Sequence, residues 1–242
     1  MSPIRLSQTI SRLQTQLGPE LFSLISDNTG PRAVHCRHHE SSHRLNTPTH
    51  ALINWTAARF IANKSDLQLP RSAVLLGSIA PDIPLYFLSF GGLAWFHWWL
   101  GWELGDVMRH MYNDLFYNNP DWISLHNVLH SPLVCILALI CLRLALSATR
   151  FRTSWYVWFF SSCLLHTLVD IPVHHDDGPL VFWPLNWTYR FSSPLSYWDP
   201  KHYGREVMAF EGILATGLLV NLIVAKFRRR WRNQSTQELQ QK

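Results

Sequence analysis

Residues 165–185 read LHTLVDIPVHHDDGPLVFWPL, and this stretch decides how the rest of the chain is read. It sets His166, Asp170 and His174 at positions i, i+4 and i+8, with His175, Asp176 and Asp177 interleaved or directly following, on or just beyond an apolar segment. On a continuous helix the three would share one face. Pro172 disturbs the last turn, so the spacing secures only the pair His166 and Asp170. An imidazole and a carboxylate inside an apolar segment are costly to bury alone. A divalent metal is the simplest partner that accounts for both.

The surroundings of that stretch are those of a membrane protein. Of 242 residues, 48% are hydrophobic and only 15% charged. The runs 132–148, 155–173 and 207–225 approach the ~20 apolar residues that cross a bilayer, although Arg143 and Glu211 interrupt two of them. Many of the twelve tryptophans sit at the ends of apolar runs, where amphipathic rings meet the membrane–water boundary. The basic tract Lys226–Arg232 follows the last run directly and reads as a cytoplasmic stop. It carries no aromatic stacking motif, so no nucleic-acid partner is expected. Four cysteines without CxxC spacing give neither a disulfide framework nor a zinc knuckle. The first 30 residues lack a continuous apolar core, so no cleavable signal peptide is expected. No alternating strand pattern stands out. The expected fold is all-α: a multi-pass membrane helical bundle with a metal site between its helices.

Three zones follow. Residues 1–45 form an N-terminal extension, expected to be poorly ordered. Its tract from His35 to His43 is histidine-rich, a composition that can bind metal but reads first as a polar linker. Residues 46–231 form the membrane-embedded domain, and 232–242 a polar tail. Thr47 as N-cap and Pro48 at N1 predict a helix over 48–63, with His50 in its first turn and Asn54 one turn on. Pro81 and Pro84 break an apolar segment at Asp82, and irregular backbone at membrane depth is tolerated where it lines a cavity. Residues 105–118 read as an amphipathic helix stopped by Asn118-Asn119-Pro120. Ser131-Pro132 opens the next helix, just after His126 and His130. Placing the Arg-rich end in the cytoplasm puts Arg150 and Arg152 inside, and His126, His130 and the loop 174–206 outside.

The candidate metal ligands are therefore His50, Asp82, His130, His166 and Asp170. Imidazole and carboxylate donors suit zinc first, with manganese or iron also fitting. Each residue has a plainer reading. A histidine before a helix is commonly a cap or a bonded core residue, a Pro-Asp pair is commonly a turn, and His166 with Asp170 could be a buried hydrogen-bonded pair. Asp176 and His174 are the candidates for the catalytic base or for a group that orients a ligand. Asp177 and Asp199 could orient ligating imidazoles or be solvated loop acids. His97, His110 and His202 read as structural or interfacial.

The ordered motifs Thr49-His50 with Asn54, GSIAPDIP at 77–84, HNVLHS at 126–131, the His166/Asp170/Pro172 pattern, and GPLVFWPLNWTYRFSSP at 178–194 resemble the YdjM/YbcI-type membrane-bound metal-dependent hydrolase family. The block from Asp170 to Gly204 looks closest to one subgroup of it. The resemblance covers roughly 46–225. It implies a bacterial inner-membrane location and the ligands His50, Asp82, His130, His166 and Asp170. Two departures stand out: Pro84 replaces the second aspartate of a PDxD motif, and HNVLHS lacks the arginine of HRGxTHS. Such an arginine could hold a phosphate by its fork.

The function expected from these readings is metal-dependent hydrolysis, a metal-activated water attacking an ester or phosphodiester of an amphiphilic substrate at the lipid boundary. The alternatives are a non-catalytic metal-stabilised membrane scaffold and a small transporter of protons or metal ions.

Overall fold

The computed structural model describes residues 46–65 and 67–240. The N-terminal extension with its histidine-rich tract lies outside the described residues. The chain forms α1 (Asn46–Ser65), α2 (Arg71–Ile79) and α3 (Ile83–Gly92, carried on by a wide helical turn, Leu93–Trp99). Next come α4 (Leu104–Arg109, continued through His110–Leu115 to Phe116–Asn118), α5 (Pro120–Asn127) and α6 (Pro132–Ala145). The short α7 (Ala148–Thr153), α8 (Trp155–Asp170) and the long α9 (Gly204–Gln240) complete the order. Between α8 and α9 runs a loop whose one bridge pairs Leu180 with Arg190. No strand is present among the described residues, and the fold is all-α as expected.

α8 packs most extensively against α2 and next against α6, while α1 lies on α2 and α9 on α1. Gly77 makes the α2–α8 seam possible: a Cβ there would run into the Phe159 carbonyl and come 2.8 Å from the Ser162 Cβ. Ala58, Ala73, Val74 and Trp158 fill the space between α1, α2 and α8, and Ala80, Cys135 and Cys163 that between α2, α6 and α8. A second layer lies beyond, where α3, α4 and α5 meet around Val107, Met111 and Trp122.

Two helices are long and apolar enough to cross a membrane, Trp155–Val173 and Gly204–Arg228. The count rises to four if two bent pairs each make one span: α2 with α3, bent by 44°, and α5 with α6, bent by 49°. The run 132–148 is not a span by itself. α6 is 14 residues long, about 21 Å at 1.5 Å per residue, and needs α5 to complete a crossing. Phe87, Phe90, Trp95, Trp98 and Trp99 on α3 and Phe210 and Ile213 on α9 are uncovered. Apolar surface of this extent is stable against hydrocarbon rather than water.

Helix starts differ from the sequence reading in one instructive way. α1 begins at Asn46, so Thr47 is already helical and its hydroxyl serves a different partner. Ser131 precedes α6 in extended backbone, but its side chain caps nothing and instead bonds the Trp183 carbonyl at 2.9 Å.

Candidate metal centre

Four chain segments end or break at one level of the bundle. α1 starts there, bringing His50. α2 breaks from α3 there, bringing Asp82. The α5–α6 break brings His130, and the end of α8 brings His166 and Asp170. Prolines set most of these ends. Pro81 and Pro84 frame Asp82, Pro132 opens α6, and Pro172 ends α8, after which Ile171–Val173 tightens to a single narrow turn. His174 thus leaves the helix in extended backbone.

Asp170 is the hub. Its Oδ1 lies 2.9 Å from His50 Nε2, and its Oδ2 lies 2.7 Å from His130 Nε2 and 3.1 Å from His166 Nε2. Asp82 Oδ1 approaches His166 Nε2 at 3.3 Å. His50, His130, His166 and Asp170 are all buried, and Asp82 is half-buried. The ring centroids of His50 and His166 are 4.0 Å apart, and those of His130 and His166 5.1 Å.

His166 decides what this cluster needs. Its Nδ1 is 2.8 Å from the Ser78 carbonyl. A carbonyl only accepts, so Nδ1 carries the hydrogen and neutral His166 has a bare lone pair at Nε2. That atom is fully buried, makes no hydrogen bond, and faces two carboxylate oxygens. With His166 neutral, lone pairs from three side chains meet with no hydrogen between them, an arrangement that a proton on Nε2 or a cation among the three relieves. One donor atom each from Asp82, His130, His166 and Asp170 all lie within 4.8 Å of one another, the group among the described residues that could hold a metal ion. Two carboxylates balance the charge of a divalent ion, and two oxygens with two imidazole nitrogens suit zinc, manganese or iron. His166 bonded through Nδ1 to a carbonyl has the arrangement that orients metal-ligating histidines.

Of the five expected ligands, four fall in this group. His50 stands beside it, bound to the other oxygen of Asp170. His174 reaches the cluster from the loop, with Nε2 3.9 Å from Asp170 Oδ1. Its Nδ1 is held at 3.0 Å by Asp177, three residues on. Burial disfavours the charged imidazole, but the Asp177 carboxylate more than offsets it and the His174 pKa stands above its usual range. Burial likewise opposes the charge on Asp177, and His174 outweighs it, holding that carboxyl below its usual range. Asp176 is exposed, one residue from this pair. Asp199 orients His202 at 2.8 Å, and His202 stacks on His175 at 3.7 Å.

The loop is strapped over the centre by buried polar groups. Asn127 Oδ1 accepts from the Leu180 amide at 2.9 Å, Ser193 Oγ donates to the Pro172 carbonyl at 2.5 Å, and Tyr197 N donates to the Val173 carbonyl at 3.0 Å. Arg190 donates to the Gly178 carbonyl and covers the Phe116 ring, its guanidinium carbon 4.7 Å from the centroid.

Sequence reasoning passed over Thr47, Tyr86, Ser78 and His126. Thr47 donates to Asp82 Oδ2 at 2.6 Å and contacts the Tyr86 hydroxyl at 3.0 Å. Its helix-start setting masked this role, while Ser78, although inside GSIAPDIP, acts through a backbone carbonyl that its residue type does not reveal. His126 is buried edge-on against His130 at 4.8 Å; its i, i+4 spacing from His130 was the available signal.

No curated protein and no solved structure matches the chain. A family profile described as YdjM inner membrane protein does match, over residues 45–232. Those residues include every segment that builds the centre, and the chain belongs to the YdjM inner membrane protein family.

Proposed function

We propose that this protein is a membrane-bound metal-dependent hydrolase that cleaves an ester or phosphodiester of an amphiphilic substrate. The observation that carries the reading is the buried Nε2 of His166 facing the carboxylates of Asp82 and Asp170 beside a second imidazole, His130. Asp82, His130, His166 and Asp170 would hold the cation, zinc first by donor chemistry, with His50 steadying Asp170 from its other oxygen. The bound ion would supply Lewis acidity and a more acidic water. Neutral His174 would take the proton in this scheme: Asp177 holds its Nδ1–H, which leaves Nε2 to accept, and the same carboxylate favours the charged ring that results. Asp176, at the exposed rim beside this pair, would pass the proton to solvent.

The uncovered apolar flanks support a substrate delivered from the bilayer. Sidedness follows from the basic residues. Lys64 ends α1, Arg71 opens α2, Arg143 lies in the last turn of α6, and Arg150 and Arg152 lie in α7, all at helix ends remote from the centre. By the positive-inside rule these residues support a centre toward the outer face of a bacterial inner membrane and a C-terminus in the cytoplasm.

The test is hydrolysis of chromogenic acyl esters and phosphodiesters in mixed micelles by chelator-stripped, zinc-reloaded protein. Turnover that depends on zinc and disappears in Asp170→Asn supports the reading. Protein that binds zinc yet leaves every such substrate intact would instead be a metal-stabilised scaffold.

A further inference from the structure

We infer that Thr47 and Tyr86 are positioning residues for the metal centre, a hydroxyl chain that fixes which oxygen of Asp82 faces the cation. This rests on the metal-site reading above and extends it to two residues that touch no ion. Asp82 lies at the α2–α3 break, where its side chain caps no helix and the local backbone does not hold its carboxylate. Thr47 Oγ1 donates to Asp82 Oδ2 at 2.6 Å. A threonine hydroxyl has one hydrogen, and it is spent on Asp82. The 3.0 Å contact between Thr47 Oγ1 and the Tyr86 hydroxyl therefore has tyrosine as donor. The direction is Tyr86 O–H to Thr47 Oγ1, then Thr47 O–H to Asp82 Oδ2.

The geometry leaves Asp82 Oδ1 with its lone pairs toward His166 Nε2 at 3.3 Å. Hydrogen bonds to a carboxylate are the stronger, charge-assisted kind, and serial hydroxyls polarise one another. Tyr86 is four residues after Asp82, so the first turn of α3 presents both to the same neighbour. That neighbour is the first turn of α1, three residues before His50. The chain thus ties the elements carrying His50 and Asp82 to one register.

The experiment is zinc affinity of the full-length purified protein, measured by competition with a chromophoric chelator, alongside the melting temperature of the metal-free form. Thr47→Val keeps the shape and removes the hydroxyl. It should weaken zinc binding by about 10–100-fold, the range for groups that orient ligands, in a metal-free form that loses some melting temperature but still unfolds cooperatively. Thr47→Ser restores the hydroxyl and should return affinity to within about threefold of wild type. Tyr86→Phe removes the outer link and should give a smaller loss, about two- to tenfold. Wild-type affinity in Thr47→Val, or a Thr47→Ser variant as weak as Thr47→Val, overturns the inference while leaving the metal site standing. If Thr47→Val does not fold, Tyr86→Phe decides, and unchanged zinc affinity there overturns the inference. Wild-type protein that binds no zinc removes the metal-site reading itself.

Discussion

Nε2 of His166 stands 3.1 Å from Oδ2 of Asp170, one helical turn away, and in the neutral imidazole it is a bare acceptor because the hydrogen sits on Nδ1, held by the Ser78 carbonyl. Two acceptors at that distance in a buried setting need a positive charge between them, a shared proton or a bound cation, and the contact turns a helical i, i+4 pair into a candidate binding site. Asp82 Oδ1, 3.3 Å from the same nitrogen, adds a second carboxylate to the contact.

The first prediction concerns that pair. If the proposed site holds zinc, His166→Ala and Asp170→Asn should each weaken its binding by more than about 100-fold, since in that site each is a direct ligand rather than a group that orients one. Asp170→Asn should also lower the stability of the metal-free protein, by about 1–3 kcal/mol, because His50 and His130 lose a carboxylate oxygen as hydrogen-bond partner. Chelator competition and thermal unfolding in detergent measure the two effects separately. Wild-type affinity in both variants would show that the ligands have been misassigned.

Gly77→Ala should destabilise the bundle. Its new methyl would meet the Phe159 backbone and the Ser162 side chain in the α2–α8 seam. Backbone does not yield as a flexible side chain does, and overpacking of this kind costs about 1–3 kcal/mol or more. Ser78 is the next residue, so the carbonyl that orients His166 shifts too, and zinc affinity should fall together with the melting temperature. Gly105→Ala, whose Cβ meets nothing, is the matched control.

Asn127→Ala should release the loop over the centre. Asn127 is fully buried and joins the Ile123 carbonyl at 2.8 Å to the Leu180 amide at 2.9 Å. Leaving that amide without an acceptor costs about 1–3 kcal/mol. Limited proteolysis should gain cleavage between 178 and 192, and amide exchange at Leu180 should accelerate. An unchanged digestion pattern would mean that the remaining straps, Ser131 to Trp183 and Ser193 to Pro172, hold the loop unaided.

Sidedness is open to a direct test. In a background without native cysteines, Asp176→Cys should react with an impermeant maleimide added to intact cells, and Arg150→Cys only after permeabilisation. Both residues are exposed, and they lie at opposite ends of α8. The reverse labelling pattern would invert the proposed orientation and put the centre on the cytoplasmic face.

Much of this arrangement was legible in the chain. Helix content, the long apolar segments around 155–173 and 207–225, and the breaks at Pro81, Pro84 and Pro172 follow from local rules of period and proline sterics, which act within a few residues. Convergence of Asp82, His130, His166 and Asp170 was legible only as chemistry: ionisable groups in apolar segments need one another. What stayed hidden depends on the third dimension. Thr47 reads as a cap until α3 is seen to bring Asp82 beside it. His50 and Asp82 look equivalent in sequence, yet the bundle gives one the outer oxygen of Asp170 and the other a place in the four-donor group. Asp176 and Asp177 are adjacent acids, and only the turn after α8 determines that Asp177 meets His174.

The central claim is that Asp82, His130, His166 and Asp170 bind a divalent cation. Elemental analysis of chelator-stripped, zinc-reloaded and desalted protein tests it most directly. About one tightly held zinc per chain, falling to background in the Asp82→Ala/His166→Ala double variant, is the expected result. Wild-type protein that retains no metal under these conditions, or a double variant that retains the full complement, would contradict the account.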